Sequence, residues 1–136
     1  MNYLIYKMNK MNKINKVFSS YDEARLAFNI PDNDYYIKIT NHPKSLNKIL
    51  RTGNVLHYVG EGCKKYPGYP SGNQMFFRQL PLLKKLRDDN YVHAFNKIDD
   101  NCIVYLGLYT LMNFRKKESV EGFTYFEIRL RIKTYM

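Results

Sequence analysis

Residues Val55–Leu83 read VLHYVGEGCKKYPGYPSGNQMFFRQLPLL, and the order of residue types in this stretch sets the architecture of the chain. Val55, His57 and Val59 alternate with Leu56 and Tyr58, the period of two that marks a short strand. Gly60-Glu61-Gly62 breaks it. From Cys63 to Gly72 the chain is a loop in which Lys64, Lys65, Tyr66 and Tyr69 interleave with prolines and glycines. Regular structure resumes at Gly72-Asn73-Gln74. The spacing predicts a helix capped by Asn73 and running to about Asp88, with Met75, Phe76, Leu80, Leu83 and Leu86 near one face. Pro81 lacks the N–H that a helix interior needs, so it is expected to kink this helix or divide it in two. A loop that presents cations and flat rings between two firm elements suits a nucleic acid, because cations contact phosphates and rings stack or wedge. Arg78, just beyond the loop, joins that set.

The rest of the composition agrees with that direction. Twenty-two Lys and Arg stand against twelve Asp and Glu, a formal charge of +10. Such an excess points to a polyanionic partner, nucleic acid first and an anionic membrane surface second. The abundance of Asn, Lys, Tyr and Ile also reads as the product of an A+T-rich genome, viral, phage or low-GC bacterial. That bias raises Lys without any selection for binding. At 136 residues the chain reads as one domain with a core of its own: residues 1–18 as a basic N-terminal arm or first strand, residues 19–136 as the domain. No apolar run approaches the roughly 18 residues that span a bilayer, and the N-terminal lysines are followed by no apolar segment of the secretory type. Cys63 and Cys102 make neither a disulfide framework nor, with three scattered His, a zinc spacing. The expectation is an intracellular, reducing compartment (cytoplasm or nucleus, or a viral factory or virion), with no metal and no cofactor.

Around the central stretch the elements follow in order. Ser20 and Glu23 have the form of a capping box opening a short helix, which Pro31 and Asp32-Asn33-Asp34 end. Tyr35–Thr40 is a strand, Ser45–Leu50 two helical turns. After the Pro81 helix come a strand at Tyr91–Phe95, a turn at Asp99-Asp100-Asn101, a long strand from Cys102 to Met112 and a charged connection from Lys116 to Gly122. The apolar and aromatic residues of the last strand, Phe123–Ile132, fall on both of its faces, so a bulge or cover on both sides is expected. Arg129, Arg131 and Lys133 alternate and share one face, either a phosphate-tracking stripe or a solvated sheet face. Strands without crossover helices between them read as antiparallel.

Taken in order, Tyr58-Val59-Gly60-Glu61-Gly62, a basic loop, Asn73-Gln74 opening a helix, Tyr91-Val92-His93-Ala94-Phe95, Val104-Tyr105-Leu106-Gly107-Leu108-Tyr109 and Phe126-Glu127-Ile128-Arg129-Leu130 resemble the SRA (SET- and RING-associated, or YDG) domain. They also resemble the SRA-like modules of modification-dependent restriction. The resemblance implies an α+β, PUA-like, curled antiparallel β-barrel flanked by short helices. It further implies a reader of duplex DNA, favoured over RNA, that extrudes a modified cytosine into a pocket and probes the gap with loops. On that match Tyr58 is the pocket tyrosine, the Cys63–Gly72 loop enters the groove, and Gln74 is the Gln of the family's Asp-Gln pair, whose Asp is here Asn73. Leu106 stands where the family's Tyr-Asp-Gly motif has Asp, and no second stacking tyrosine is found upstream of Val55.

The resulting expectation is a non-catalytic nucleic-acid-binding module. Its candidate contacts are Tyr58, Gly60, Gly62, Lys64, Lys65, Tyr66, Tyr69, Asn73, Gln74, Arg78, Arg129 and Arg131. Gly60 and Gly62 serve the backbone first. No nucleophile–base pair, P-loop or metal cluster is suggested by order or motif. A PUA-like RNA binder, and a structural or oligomeric protein that keeps the fold without reading bases, remain as alternatives, as does a partner that brings an effector domain.

Overall fold

The computed structural model describes residues 16–40 and 43–133. Within them are nine strands: β1 Val17–Phe18, β2 Tyr36–Thr40, β3 Lys48–Leu50, β4 Val55–Val59, β5 Lys64–Tyr66, β6 Tyr69–Pro70, β7 Val92–Asp99, β8 Cys102–Glu118 and β9 Thr124–Ile132. Two α-helices, α1 Tyr21–Ala27 and α2 Leu80–Asp89, accompany them. Most of the N-terminal segment read as a basic arm lies outside the described residues; only its end, Lys16–Phe18, is seen, and Val17–Phe18 pairs with Val104 and Ile103 of β8.

The main sheet runs β2-β7-β8-β9-β4-β3. β7, β8 and β9 form an antiparallel meander, and β4 joins β9 with Tyr58 opposite Ile128. β2 and β7 pair in parallel, which corrects the all-antiparallel expectation. The reason is topological: the long connection between the two strands, which includes β3, β4 and α2, provides the crossover that a parallel pair needs. Strands from both halves of the order share one core. Ile37 and Ile39 of β2, Leu56 and Tyr58 of β4, Ile128 and Leu130 of β9 and Leu82 and Leu86 of α2 pack together, so the sheet curls around them. Each fully buried large side chain here contributes about 1.5–3 kcal/mol. The curl is helped by a bulge in β8, where Ala94 pairs with Gly107 but Phe95 with Tyr105, and Gly107 adopts φ +120°. The bulge expected in β9 is in its partner instead, between Leu111 and Asn113 of β8. Phe126, Ile128 and Leu130 therefore share the buried face.

A second cluster, Phe18, Ala24, Phe28, Ile30, Phe95, Ile103 and Tyr105, fixes α1 to the other side of β7 and β8. Ser20 caps α1 through the Glu23 N–H at 3.1 Å, but the Glu23 carboxylate turns to Ser19 and not back to Ser20. Lys48–Leu50, expected to be helical, is drawn out as an edge strand by β4. β8 runs on to Glu118, through residues read as a charged connection, because β9 offers it a partner along that whole length.

The helix expected from Asn73 begins later. A 3-10 turn covers Phe76–Gln79 and α2 starts at Leu80, with Pro81 in the first turn, where its missing N–H costs nothing. Pro81 thus divides the segment. Asn73 caps no helix, since its Oδ1 accepts the Thr124 N–H at 2.8 Å.

Candidate nucleic-acid interface

Successive residues of β4 face opposite sides, so Tyr58 points into the curl and His57 away from it. Tyr58 is 4 % exposed, and what remains visible borders an open cleft of about 890 Å³. Tyr35, Lys38, Glu61, Lys64, Phe77 and Arg78 also line it. The Tyr58 hydroxyl donates to the Glu61 carboxylate. The Lys64 ammonium stands 3.7 Å from that carboxylate and 5.2 Å from the Tyr58 ring centroid, within cation–π range. Burial pushes the Tyr58 hydroxyl well above its ordinary value, and the Glu61 carboxylate adds to the rise. The same two causes take Tyr35 to about 12. Both phenols are therefore neutral donors at physiological pH. Burial pulls the Lys64 ammonium down, with Glu61 opposing. Carboxylate, ammonium and two rings thus meet at one wall of the cleft.

Two buried glutamines hold this arrangement in place. Gln74 donates to the carbonyls of Gly60 at 2.7 Å and Gly62 at 3.0 Å, and its Oε1 accepts the Phe126 N–H at 3.0 Å. Gln79, fully buried, accepts the Glu61 N–H at 2.7 Å and donates to the Glu61 carbonyl at 2.9 Å. Gly60 is required by this clasp: a Cβ there would lie 2.3 Å from Gln79 Oε1 and 3.1 Å from Gln74 Oε1. Gly62 meets a different need, a φ of +98°. Of the candidates drawn from the sequence, Gly60, Gly62, Asn73 and Gln74 all take part in this framework; Gln74 is 3 % exposed, whereas Gly62 also lines the cleft and Asn73 is exposed.

The segment read as an open loop is a hairpin, β5–β6, with Pro67-Gly68 at its tip. It is docked, because the Gly68 carbonyl accepts the Leu46 N–H at 2.7 Å and Gly68 leaves no room for a Cβ beside Ser45. Lys64 and Tyr66 line the cleft. Tyr69 turns away and donates to Glu121. The side chain of Lys65 lies outside the described residues. Arg78 is exposed at the cleft's rim with no ion pair among the described residues.

Arg129 and Arg131 are elsewhere. They project from the opposite face of the sheet, where Arg129 lies in register between His57 and Asn113, and Arg131 between Val55 and Thr110. Lys48, Arg115 and Lys117 occupy positions on the same face, around a single carboxylate: Glu127 is 3.7 Å from Arg129 and 3.8 Å from Lys117. Burial and then the Arg129 charge hold His57 below its ordinary value. Arg129 Nε, Glu127 Oε1 and Asn113 Oδ1 are buried without a hydrogen-bond partner.

Sequence reasoning missed Tyr35, Glu61 and Gln79. Glu61 sits inside the quoted Tyr-x-Gly-x-Gly motif as a spacer. Tyr35 opens a recognised strand, but β2 and β4 are not neighbours in the sheet, so nothing local tells that its ring shares a cleft with Tyr58 and Glu61. Asp34 serves the frame, with Lys85 at 2.5 Å and His93 at 3.9 Å. Leu106 packs against the core and does not border the cleft, so the carboxylate absent from that position takes nothing from this site. Among the described residues no group of three or more His, Cys, Asp or Glu could hold a metal, and no helix is long and apolar enough to cross a membrane.

No family model and no curated protein matches the chain. Solved structures do. The chain is similar to the SUVH5 SRA domain in complex with methylated CHH DNA, at 21% identity and TM-score 0.63, over 91% of this chain and 90% of that one. The SUVH5 SRA domain with hemimethylated CG DNA matches at 22% identity and TM-score 0.59, over 88% and 86%. KRYPTONITE in complex with mCHH DNA, an H3(1-15) peptide and SAH matches at 17% identity and TM-score 0.64, over 89% of this chain but 32% of that chain. The fold of the chain is SRA-like.

Proposed function

We propose, with the SRA-like fold as premise, that this chain is a non-catalytic reader of duplex DNA which takes one extruded base into the Tyr35–Tyr58–Glu61 cleft. The observation that carries the reading is the gathering of two tyrosines, a carboxylate and an ammonium at one wall of a cleft of about 890 Å³. An extruded base must recover its lost stacking and satisfy its Watson–Crick edge. The half-buried Tyr35 ring supplies a face, while the buried Tyr58 positions Glu61 through its hydroxyl. Glu61 accepts from an exocyclic amine, and Lys64 donates to the neighbouring ring nitrogen or carbonyl, the donor–acceptor order that a cytosine edge presents. Stacking worth roughly 1–3 kcal/mol per base offsets the few kcal/mol that unstacking costs. Arg78 and Lys38 at the rim hold phosphates. Work on DNA implies an intracellular, reducing compartment, and the domain extends over residues 19–136, with residues 1–18 contributing its first strand at Val17–Phe18.

The test is duplex binding by fluorescence anisotropy with unmodified, 5-methylcytosine and 5-hydroxymethylcytosine oligonucleotides, at low and near-physiological salt. We expect one modified duplex to be preferred about ten-fold (about 1.4 kcal/mol) at both salts. Glu61→Gln, which keeps the side chain's volume, is expected to abolish the preference while leaving salt-sensitive affinity in place. Equal binding of all duplexes, or a preference untouched by Glu61→Gln, removes the pocket reading; tighter binding to RNA than to any duplex redirects it to an RNA partner.

A further inference from the structure

Beside the cleft the chain leaves apolar groups in water. Met75, Phe76, Phe77 and Leu80 are between 47 % and 60 % exposed, and exposed apolar side chains grouped in this way mark an interaction surface. Phe76 is partly accounted for, since its ring meets the stacked Phe114 and Phe126 rings edge-on, 6.0 and 6.1 Å away. Phe77, at 60 % the most exposed of the four, makes no ring contact among the described residues. The 3-10 turn fixes its place. With Pro81 it borders both the cleft and a second groove of about 740 Å³, whose other walls are Leu80, Leu83, Lys84 and Arg87.

The charges around this ring identify its occupant. Arg78 stands on the cleft side, and exposed Lys84 and Arg87 on the groove side. One carboxylate of the helix, Asp88, is in contact with Arg87 at 2.9 Å. An apolar wall between two cationic banks suits a nucleic-acid strand, whose bases stack on the ring while its phosphates meet the cations. An apolar protein face would leave Arg78 and Lys84 desolvated and unpaired. We propose that Phe77 stacks on the nucleotide next to the one held in the cleft, and that the strand continues along the second groove past Lys84 and Arg87. This rests on the cleft being the base pocket and adds a contact that the pocket does not need.

The sequence supplies its own probe, because it contains no tryptophan. Phe77→Trp introduces a single indole at an exposed position, excitable where tyrosine does not absorb. Titration with the preferred duplex is expected to quench its emission as a base stacks on it. Phe77→Ala is expected to weaken binding about ten-fold (about 1.4 kcal/mol), with the salt dependence and the preference among duplexes retained. Unquenched emission while anisotropy reports binding overturns the proposal, as does full affinity in Phe77→Ala. An emission shift on raising protein concentration without DNA overturns it in favour of a second copy of the chain. Glu61→Gln separates the two readings: if it loses the preference while Phe77 proves inert, the pocket stands and only this contact falls.

Discussion

The two faces of β4 carry opposite kinds of polar chemistry. Inward, Tyr58 and Lys64 are each paired with Glu61, and the backbone that carries Glu61 is clasped by Gln74 and Gln79. Outward, Lys48, Arg115, Lys117, Arg129 and Arg131 crowd one Glu127, and Arg129 Nε is left without a partner. By count of charge alone the outer face would be the nucleic-acid site. Affinity and selection are different problems, however. Phosphates are met by any exposed cation, whereas a base is told from another base by groups whose positions are fixed before it arrives. The inner face has such groups and the outer face does not.

The comparison breaks most visibly at Gln79. Replacing it by Leu keeps the volume but strands both the N–H and the carbonyl of Glu61 at the edge of the core. Unsatisfied buried groups cost about 1–3 kcal/mol each, so Gln79→Leu is expected to destabilise the fold by roughly 2–4 kcal/mol in chemical denaturation, and to loosen Glu61 with it. A loss below about 1 kcal/mol would mean that the turn holds itself and that the inner face is less fixed than its hydrogen bonds imply.

That clasp also marks what a reader of the sequence can and cannot see. Alternation announces β4, and punctuation by Gly60-Glu61-Gly62 announces the turn, because both are local. Tyr58 is legible for the same reason. Tyr35 is not, because the curl that brings β2 and β4 to one core is a property of the whole strand order. The family motif points to Gln74 as a contact with DNA, yet its amide is consumed by Gly60, Gly62 and Phe126. Lys48–Leu50 looks helical from its apolar spacing, and an edge on β4 outweighs that preference. The alternation of Arg129 and Arg131 gives their common face correctly. Which side of the sheet holds the cleft is not contained in it.

A second test uses alkali. A tyrosine whose pKa is raised on folding contributes stability that is complete below its unfolded value of 10 and is lost as pH climbs through the folded value. Tyr35, at about 12, should cost the fold about 1.4 kcal/mol near pH 11. The arginines of the outer face stay charged throughout. Denaturation midpoints of the wild type are therefore expected to fall from pH 10 upward, and Tyr35→Phe to fall less steeply. Parallel curves for the two proteins would show that Tyr35 is not buried beside Glu61.

The smallest expected effect is on the outer face, and it sharpens the comparison most. Arg131 is exposed and has no ion pair among the described residues, so Arg131→Gln removes one positive charge without disturbing packing. If that face only adds to the general attraction for a polyanion, the substitution should weaken every duplex alike, by a few-fold at most. It should lower the slope of log affinity against log salt by no more than about one, and leave the ratio between modified and unmodified duplexes unchanged. Arg129→Gln is the less clean partner experiment, because Glu127 loses its neighbour at 3.7 Å. A change of ratio in Arg131→Gln would place base selection on the outer face, since an exposed arginine on the far side of the sheet has no route to the cleft except through the DNA itself.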